Sequence, residues 1–483
     1  MRLSSAKKLL PWIGGFLLGV VTVVAVVGLV AWYSLLREVP QHFDSQEEAF
    51  KYGSIGNEAN EGFPYLIWLV LPRMFPEYLP GPGGYQAFGL VYESGRVDPV
   101  GMSKKTIGFE RIGINCSICH SGTYRTDPQQ PPTLVPTAPS SRLDIQGYFR
   151  FFFTCAADPR FTSDNVLQAI KEVTTLNPLE EALYRYVIIP QTREALLKQR
   201  ERFVWADARP NWGRGRIDPF NPVKFHQLQL SYADDRTIGN SDMEPLWNMA
   251  RKQGFGLHWD GLNDSVTEVI RTGALGDGAT NTSLPVNDLQ RLEEWINGVT
   301  PPKYPYPIDQ ALAARGEPIY QRLCASCHAF GGARTGTVIP LAEIGTDRHR
   351  VDMWSQQAAD RYNAYSAGYS FQFKRFVKQE GYASVSLDGI WLRAPYLHNG
   401  SVPTLEDLLE PSARRPTVFY RGYDVYDRDR VGFIHQGPEA ERAGQRYDIS
   451  VEANGNQGHE GEVYGTTLSP DEKRALVEFL KTQ

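Results

Sequence analysis

Two short motifs carry the most specific chemistry of this 483-residue chain, CSICH at 116–120 and CASCH at 324–328. In a C-x-x-C-H motif the two thiols add across the vinyl groups of a haem, and the adjacent histidine binds the iron. The pattern therefore predicts two covalently bound haem c groups. The residues that would attach and ligate them are Cys116, Cys119, His120, Cys324, Cys327 and His328.

Zinc binding and dithiol redox chemistry are the two alternatives for these cysteines. A zinc ion would need both motifs to meet at one site, and a thioredoxin-like pair would need a βαβ unit that the sequence does not indicate. The chain has only five cysteines and nine histidines, so two chance copies of the motif are improbable. Haem attachment is favoured. Cys155, in the aromatic run YFRFFFTC, is left over and is predicted to be a buried thiol.

The second axial position of each iron decides what a haem does. A second strong protein ligand gives an electron-transfer haem, whereas an open position lets dioxygen or peroxide bind. The candidate ligands that follow the second motif cannot be separated by spacing alone; they are His349, Met353, His398, His435 and His459.

An internal repeat indicates how the chain is divided. LPVNDLQRLEEWIN (284–297) aligns without a gap on LSPDEKRALVEFLK (468–481), and both segments have the apolar stripe of an amphipathic helix. A further helix is predicted to lead into the second motif, and the proline-rich stretch 298–307 reads as a linker. The prediction is a mainly α fold of two tandem cytochrome c-type haem domains with long loops, at 37–300 and 301–483.

The first 36 residues predict a membrane anchor. The run from Leu9 to Leu36 is uncharged and exceeds the roughly 20 residues that span a bilayer. Arg2, Lys7 and Lys8 precede it, which favours a cytoplasmic N-terminus and haem domains in the periplasm, held at a bacterial inner membrane by one helix. A cleaved signal peptide is the alternative, although its apolar region is usually about 7–15 residues.

The charge balance bears on partners. Lys and Arg total 50 and Asp and Glu total 55, a net charge of −5, so nucleic acid is not expected as a partner. The expected partners are the inner membrane and a periplasmic or membrane-bound redox protein.

Several segments resemble a known superfamily. DGIWLRAPYLHNGSVPTLEDLL (388–409) resembles the segment that bacterial di-haem cytochrome c peroxidases carry after their second haem motif, and HWDGLNDSV (258–266) resembles their FWDGR-x-x-SL segment. Within the superfamily, residues 212–225 and 453–481 look most like the branch of the di-haem rubber oxygenases. The resemblance spans most of residues 100–483.

The resemblance implies roles for five residues. It makes His459 the distal ligand of the second haem, so that His328 and His459 would hold an electron-transfer centre. It places Trp259 between the two haems and the reactive iron at His120. It also implies that His398 packs beside the second haem.

The chain departs from the peroxidases at their distal acid/base pair. Their Gln and Glu positions fall at Val269 and Ala279, although Asp277 or Glu268 would substitute if the loop is displaced. Because general acid/base help is typically worth about 10²–10⁴-fold, peroxide cleavage is expected to be slow. An apolar pocket for dioxygen and a small hydrophobic substrate is favoured.

Two further departures concern ligands. His258 and a position near Ala274 replace phenylalanines of the rubber oxygenases, so polyisoprene itself is not implied. Arg393 replaces a threonine of the peroxidases, which disfavours the interdomain calcium ion of the superfamily. Arg393 is expected either to neutralise a haem propionate or to form a surface salt bridge.

The segment GLHWDGLND (256–264) leaves one choice open. His258 is either a ligand or hydrogen-bond donor at the first haem, or an imidazole packed beside Trp259. Asp260 and Asp264 are predicted to be turn and cap residues rather than acids.

Three functions remain compatible with these features. The favoured one is an anchored periplasmic di-haem oxidoreductase, oxygenase-like or peroxidase-like, in which His258 and Trp259 take part in catalysis. A plain di-haem electron carrier is the alternative from another class. The third is maturation of a protein cofactor by long-range oxidation, for which Trp259 is permissive.

Overall fold

The computed structural model describes the backbone of residues 4–483 and the side-chain surroundings of residues 15–483. About 44% of the chain is helical, in line with the predicted mainly α class. The helices before the linker are α1 Ser4–Ala31, α2 Gln46–Tyr52, α3 Tyr65–Met74, α4 Ile145–Ala157, α5 Ser163–Lys171, α6 Pro178–Leu183, α7 Ile189–Phe203, α8 Val266–Gly276 and α9 Val286–Gly298.

The helices after the linker are α10 Gln310–Leu323, α11 Ala325–His328, α12 Leu341–Ile344, α13 His349–Met353, α14 Gln356–Tyr365, α15 Leu405–Leu408, α16 Pro438–Ala443 and α17 Pro470–Leu480.

The strands are short and form small antiparallel sheets. They are β1 Glu38–Val39, β2 Phe63–Pro64, β3 Met102–Ile107, β4 Phe109–Ile114, β5 Ser121–Tyr124, β6 Thr133–Pro136, β7 Arg216–Ile217, β8 Ser241–Asp242, β9 Val338–Pro340, β10 Gly381–Ala383, β11 Val418–Arg421, β12 Tyr426–Asp427, β13 Gly432–Phe433 and β14 Gln445–Asp448.

Helix α1 continues as a π-helical turn over Trp32–Leu36. Residues Gly15–Leu36 form a stretch of 22 residues with a mean hydropathy of 2.5, and none of its most apolar window is buried against the rest of the chain. By length and composition this helix fits either a signal anchor or a membrane span.

An aromatic core fills the first half of the chain. Trp68 stacks on Tyr85 with ring centroids 4.4 Å apart, and its indole Nε1 donates to the hydroxyl of Tyr148 at 2.9 Å. Cys155 lies in this core with no exposed surface. The prediction of a buried thiol is therefore confirmed.

The segments before the two motifs differ. The second motif follows helix α10, as predicted, but the first follows the β3–β4 hairpin, in which Met102 pairs with Ile114. The sequence MSKKTIGFERIGI explains the hairpin, because Gly108 takes a φ of +72° at the turn and lies against Leu35. A helix thus precedes only the second motif.

The two aligned segments both form helices, α9 and α17, as predicted. Ser469 and Glu472 make the capping box that begins α17. Helix α17 packs along α10, where the ring centroids of Tyr320 and Phe479 are 5.0 Å apart. No helix or strand lies between residues 299 and 309, which agrees with a linker.

Gly316 allows α10 and α17 to approach each other. A Cβ atom at Gly316 would lie 2.0 Å from the main-chain oxygen of Ala475. We predict that Gly316→Ala lowers the free energy of unfolding by about 1–3 kcal/mol, the usual cost of overpacking. Gly273 in α8 is the matched control, because a Cβ there meets nothing within 4 Å.

Gly273→Ala should leave the protein as stable or raise its stability by up to about 1 kcal/mol through helix propensity. Thermal unfolding of both variants measures the difference. Equal midpoints for the two variants would show that the α10–α17 contact does not depend on the missing side chain.

Candidate functional site

The first motif begins two residues after the end of strand β4 in the β3–β4 hairpin. Asn115 follows β4 and its side chain accepts from the backbone N–H of Ser117 at 2.9 Å, which begins the 3-10 turn at Cys116. The same side chain donates to the carbonyl of Gly53 at 2.9 Å. Burial raises the pKa of Cys116 to about 12 and also raises that of Cys119. Burial thus favours the uncharged thiol form of both cysteines.

His120 is oriented by the main chain. Its Nδ1 donates to the carbonyl oxygen of Glu244 at 2.6 Å. A carbonyl can only accept, so the proton is on Nδ1 and the lone pair is on Nε2. Burial lowers the pKa of His120, which keeps the ring neutral, as a metal ligand must be.

His328 has the same arrangement in the second half. Helix α10 ends at Leu323, Cys324 caps the short helix α11, and His328 is the last residue of that helix. Its Nδ1 donates to the carbonyl oxygen of Val385 at 2.6 Å. Burial again lowers the pKa of the ring. Both motif histidines therefore present a neutral Nε2, with the partner at Nδ1 that metal-bound histidines usually have.

His459 faces His328. Their ring centroids are 6.2 Å apart. A bond from an imidazole nitrogen to a metal is about 2 Å long, so two imidazoles on opposite sides of one ion have centroids about 6 Å apart. The observed separation fits that arrangement, and burial lowers the pKa of His459 to about 3.

The loop that carries His459 is held by backbone contacts. The His459 N–H donates to the carbonyl of Ile344 at 2.7 Å, and Nη1 of Arg415 donates to the carbonyl of Gly458 at 2.9 Å. His459 itself has a φ of +49°, an uncommon conformation for a non-glycine residue.

The other candidate ligands have different surroundings. Met353 is 1% exposed and belongs to the hydrophobic cluster around Trp354. His349 is bound to the carboxylate of Asp347 at 3.0 Å, His398 stacks on Tyr382 with centroids 4.1 Å apart, and His435 donates to the carbonyl of Phe433 at 3.2 Å. Of the predicted candidates, His459 is the one whose ring faces that of His328.

Trp259 joins the segments that hold the two motif histidines. Its indole Nε1 donates to the carbonyl of Asp242 at 2.7 Å, two residues before Glu244. Its own carbonyl accepts from the N–H of Ala383 at 2.8 Å, two residues before Val385. Trp259 therefore bridges the main-chain supports of His120 and His328.

His258 is enclosed beside the first site. Burial, aided by Arg350 and His120, lowers its pKa to about 3. Its ring lies edge-on to Phe220 at a centroid distance of 5.1 Å, and its Nε2 is buried with no hydrogen-bond partner. Its φ of +61° is again uncommon. His258 thus packs on Phe220 and keeps an unused ring nitrogen, so the choice between a ligand role and a packing role stays open.

The two aspartates of GLHWDGLND have different surroundings. Asp264 is half-buried and pairs with Arg375. Asp260 lies in the turn, as predicted, but it is 1% exposed and its carboxylate is 3.0 Å from Nη2 of Arg350. The backbone of Asp260 forms the predicted turn, but the buried ion pair of its side chain with Arg350 was not predicted.

Apolar residues occupy the two positions where the peroxidases have their acid/base pair. Val269 and Ala279 both belong to the hydrophobic cluster against which Cys116 packs. Asp277 comes directly after α8, and Asn57 donates both to its carbonyl at 2.9 Å and to that of Ile114 at 2.8 Å. Burial raises the pKa of Asp277 to about 7.

Arg393 forms most of its hydrogen bonds with residues of its own loop. Its Nη1 donates to the carbonyl of Ser386 at 2.8 Å, and its Nη2 contacts the carboxylate of Asp388 at 2.8 Å. The guanidinium lies 5.7 Å from the ring of Trp247, and Nε has no partner. The salt bridge is therefore present, although it is buried rather than at the surface.

The histidines fit the haem group that the motifs imply. Burial lowers the pKa values of His120, His328 and His459, yet each of these residues is only half-buried. With His120 and His328 oriented by carbonyls, the residues suit axial binding of haem iron.

Comparisons with known proteins agree with this chemistry. Residues 381–420 match the family model described as RoxA-like, cytochrome c-like. This 40-residue segment is therefore similar to a RoxA-like cytochrome c domain. Such a domain implies haem c and supports a relation to rubber-oxygenase-like cytochromes c. The matched segment includes Val385, the partner of His328, and also Arg393 and His398.

Two similar proteins come from Sinorhizobium fredii (strain NBRC 101917 / NGR234), and both are described as uncharacterized. The chain is 33% identical to y4iM over 168 residues, which cover 29% of this chain and only 37% of that protein. It is 29% identical to y4iJ in an alignment of 476 positions, gaps included, that covers 77% of this chain and 76% of that protein.

Sequence reasoning missed three functional contacts. The carbonyls of Glu244 and Val385 orient the histidines through main-chain atoms, for which side-chain patterns give no signal. Arg350 is 1% exposed and contacts Asp260. The nearest sequence signal was the dense run of charges DRHR at 347–350, which reads more readily as a surface.

The buried carboxyl of Asp277 makes stability depend on pH. Its pKa is about 7 in the folded protein, against an ordinary value of 3.8. Between these values the folded state binds more protons, so the contribution of this group to stability falls as pH rises from about 4 to 7 and is then constant. Asp277→Asn removes that loss.

We predict that the thermal midpoint of Asp277→Asn exceeds that of the wild type by an amount that grows from pH 4 to pH 7 and then levels off. Asp288→Asn is the control, because Asp288 is exposed on α9. A difference between Asp277→Asn and wild type that stays flat over this pH range would contradict the buried, protonated carboxyl.

Proposed function

We propose that this chain is a membrane-anchored, periplasmic, di-haem c-type cytochrome with an oxygenase-like N-terminal site and an electron-transfer C-terminal site. The boundaries of the two haem domains would be 37–300 and 301–483. The observation that carries the proposal is the difference between the surroundings of the two motif histidines. His328 faces a second imidazole at 6.2 Å, whereas Cys116 of the first motif packs against a hydrophobic cluster and has the buried carboxyl of Asp277 nearby.

Bound haem c supplies a redox-active iron, which exchanges electrons when both axial positions are filled and binds dioxygen or peroxide when one is open. His328 and His459 would fill both positions at the second site. His120 would supply the proximal ligand at the first site, with its ring fixed by the carbonyl of Glu244.

The protein around the first site would exclude water and accept a hydrophobic molecule. Cys116 packs against the cluster that includes Val269, Leu275 and Ala279. None of these three side chains can move a proton, which favours an oxygenase-like reaction with dioxygen over rapid cleavage of peroxide. The substrate class would be small and apolar.

Trp259 would connect the two sites. Hydrogen bonds tie its indole to the segment that supports His120 and its carbonyl to the segment that supports His328. These contacts give a continuous bonded route between the two motif histidines. Electrons from a periplasmic or membrane-bound redox partner would enter at the His328 site and leave at the His120 site.

The membrane part of the proposal rests on the N-terminal helix. The apolar stretch Gly15–Leu36 is long enough to cross a bilayer, and Lys7 and Lys8 precede it. This orientation puts the cysteines in the periplasm, where haem c is attached to proteins.

A non-catalytic di-haem electron carrier is the second candidate, and His258 favours it. The ring is enclosed and neutral, its Nε2 lacks a partner, and His120 contributes to lowering its pKa. If His258 closed the first site as His459 would close the second, both irons would have two histidine ligands.

The role of His459 is tested by substitution. We predict that His459→Ala converts one haem from low spin to high spin, because the ring opposite His328 is lost. Visible absorption and electron paramagnetic resonance of the ferric variant measure the change. His435→Ala is the matched control, since His435 is a buried histidine whose ring donates to the carbonyl of Phe433 and does not face His328. An unaltered spectrum in His459→Ala would refute the assignment.

The reaction class is tested by turnover. With a reduced cytochrome as the electron donor, we predict peroxide turnover about 10²–10⁴-fold below that of an enzyme with an acid/base pair. The reason is that the side chains of Val269 and Ala279 can neither donate nor accept a proton. Oxygen consumption with small apolar substrates should exceed it. Rapid peroxide turnover that is lost in Asp277→Asn would contradict the oxygenase-like reaction and make Asp277 the acid/base group.

A further inference from the structure

Arg350 is a buried cation whose hydrogen-bonding capacity is only partly used. It lies in α13 and is 1% exposed. Its Nη2 forms an ion pair with Oδ1 of Asp260 at 3.0 Å, while Nε, Nη1 and that carboxylate oxygen are buried and have no hydrogen-bond partner among the residues that the structure describes. A guanidinium stays protonated at any ordinary pH, so it cannot escape this situation by losing its charge.

Unused buried donors indicate a ligand. A buried polar group without a partner costs the full penalty of its desolvation, and such groups are rare in native proteins. Arg393, by comparison, directs both of its Nη atoms to residues of its own loop. The free donors of Arg350 call for an acceptor, and planar guanidinium groups match carboxylates best.

The surroundings of Arg350 show where such a carboxylate would bind. The guanidinium lies 5.1 Å from the ring of Phe220, which itself is 5.1 Å from the ring of His258. Asp260 follows Trp259 directly in the chain. Arg350 belongs to the second half of the chain, whereas Phe220 and Asp260, which it contacts, belong to the first half. The guanidinium therefore lies at the seam, the region where the two halves of the chain meet.

The charge of Arg350 reaches groups on both sides of that seam. Burial raises the pKa of Glu244 to about 7, and the positive charge of Arg350 limits that rise. Burial lowers the pKa of His398, and the charge of Arg350 lowers it further. Glu244 supports His120, and His398 stacks on Tyr382 near the support of His328.

We propose that Arg350 and Asp260 form a carboxylate site at the seam between the two halves of the chain, in which Arg350 binds the carboxylate and Asp260 fixes the guanidinium. The carboxylate comes from a haem propionate or from a small carboxylate molecule. The inference rests on the proposed function for the haem source, and Arg350 acts as a positioning and charge-compensating residue.

A cation beside a haem stabilises the ferrous over the ferric state, because the ferrous centre carries one positive charge less. In a spectroelectrochemical titration of the holoprotein, Arg350→Gln should therefore lower the reduction potential of one haem, and Asp260→Asn should raise it. A purely structural role would not shift the potential in opposite directions.

The two sources of the carboxylate give different results. If a haem propionate is bound, the potentials shift as stated and added sodium acetate has no effect beyond that of sodium chloride. If a free carboxylate is bound, acetate produces a saturable change in the wild-type haem spectrum that Arg350→Gln abolishes. Unchanged potentials in both variants together with no acetate effect would overturn the site.

Two controls separate these outcomes from other failures. Arg209→Gln removes an arginine whose Nε, Nη1 and Nη2 all donate to main-chain carbonyls, and it should leave the potentials unchanged. Arg350→Lys keeps the charge and should lower the potential less than Arg350→Gln does. If Arg350→Gln fails to fold, Arg350→Lys and Asp260→Asn decide the question.

Haem content distinguishes this inference from the proposed function. Intact mass reports how many haems the wild type carries. Fewer than two would contradict the di-haem proposal. Two haems with unshifted potentials and no response to acetate would contradict the carboxylate site alone.

Discussion

The bond from each motif histidine to a main-chain carbonyl is the interaction on which the remaining structure depends. The carbonyls of Glu244 and Val385 accept from Nδ1 of His120 and His328, both at 2.6 Å, and so fix one tautomer and one ring orientation. A metal ligand on a freely rotating ring would lose affinity and geometry. Because Trp259 is bonded next to both carbonyls, the two sites share one rigid frame rather than two independent ones.

The same burial that keeps the histidines neutral makes charges at the seam costly. A buried ion needs a partner of opposite charge and saturated hydrogen bonds. Asp242 meets this need through Arg421, whose Nη2 is 2.7 Å away. Arg350 meets it only in part through Asp260. Both Nη atoms of Arg421 donate hydrogen bonds and only its Nε lacks an acceptor, whereas Arg350 has two buried nitrogens, Nε and Nη1, without one.

Patterns that depend on composition and spacing could be predicted from the sequence. Helices α9 and α17 follow from apolar periodicity, the capping box from Ser469 and Glu472, and the burial of Cys155 from its aromatic neighbours. Contacts made by main-chain atoms, such as the Val385 carbonyl, leave no such trace. The β3–β4 hairpin has a local signal in Gly108, whose φ of +72° suits the turn, but its place before the first haem motif does not follow from the motif itself.

The central claim is that one frame holds two unlike haem sites, one closed by His328 and His459 and the other open beside His120. Electron paramagnetic resonance of the ferric wild-type protein, before and after addition of cyanide, tests it most directly. The predicted result is one low-spin signal that cyanide leaves unchanged and one high-spin signal that cyanide converts to low spin. Two low-spin signals, neither affected by cyanide, would contradict the claim and favour an electron carrier in which His258 closes the first site.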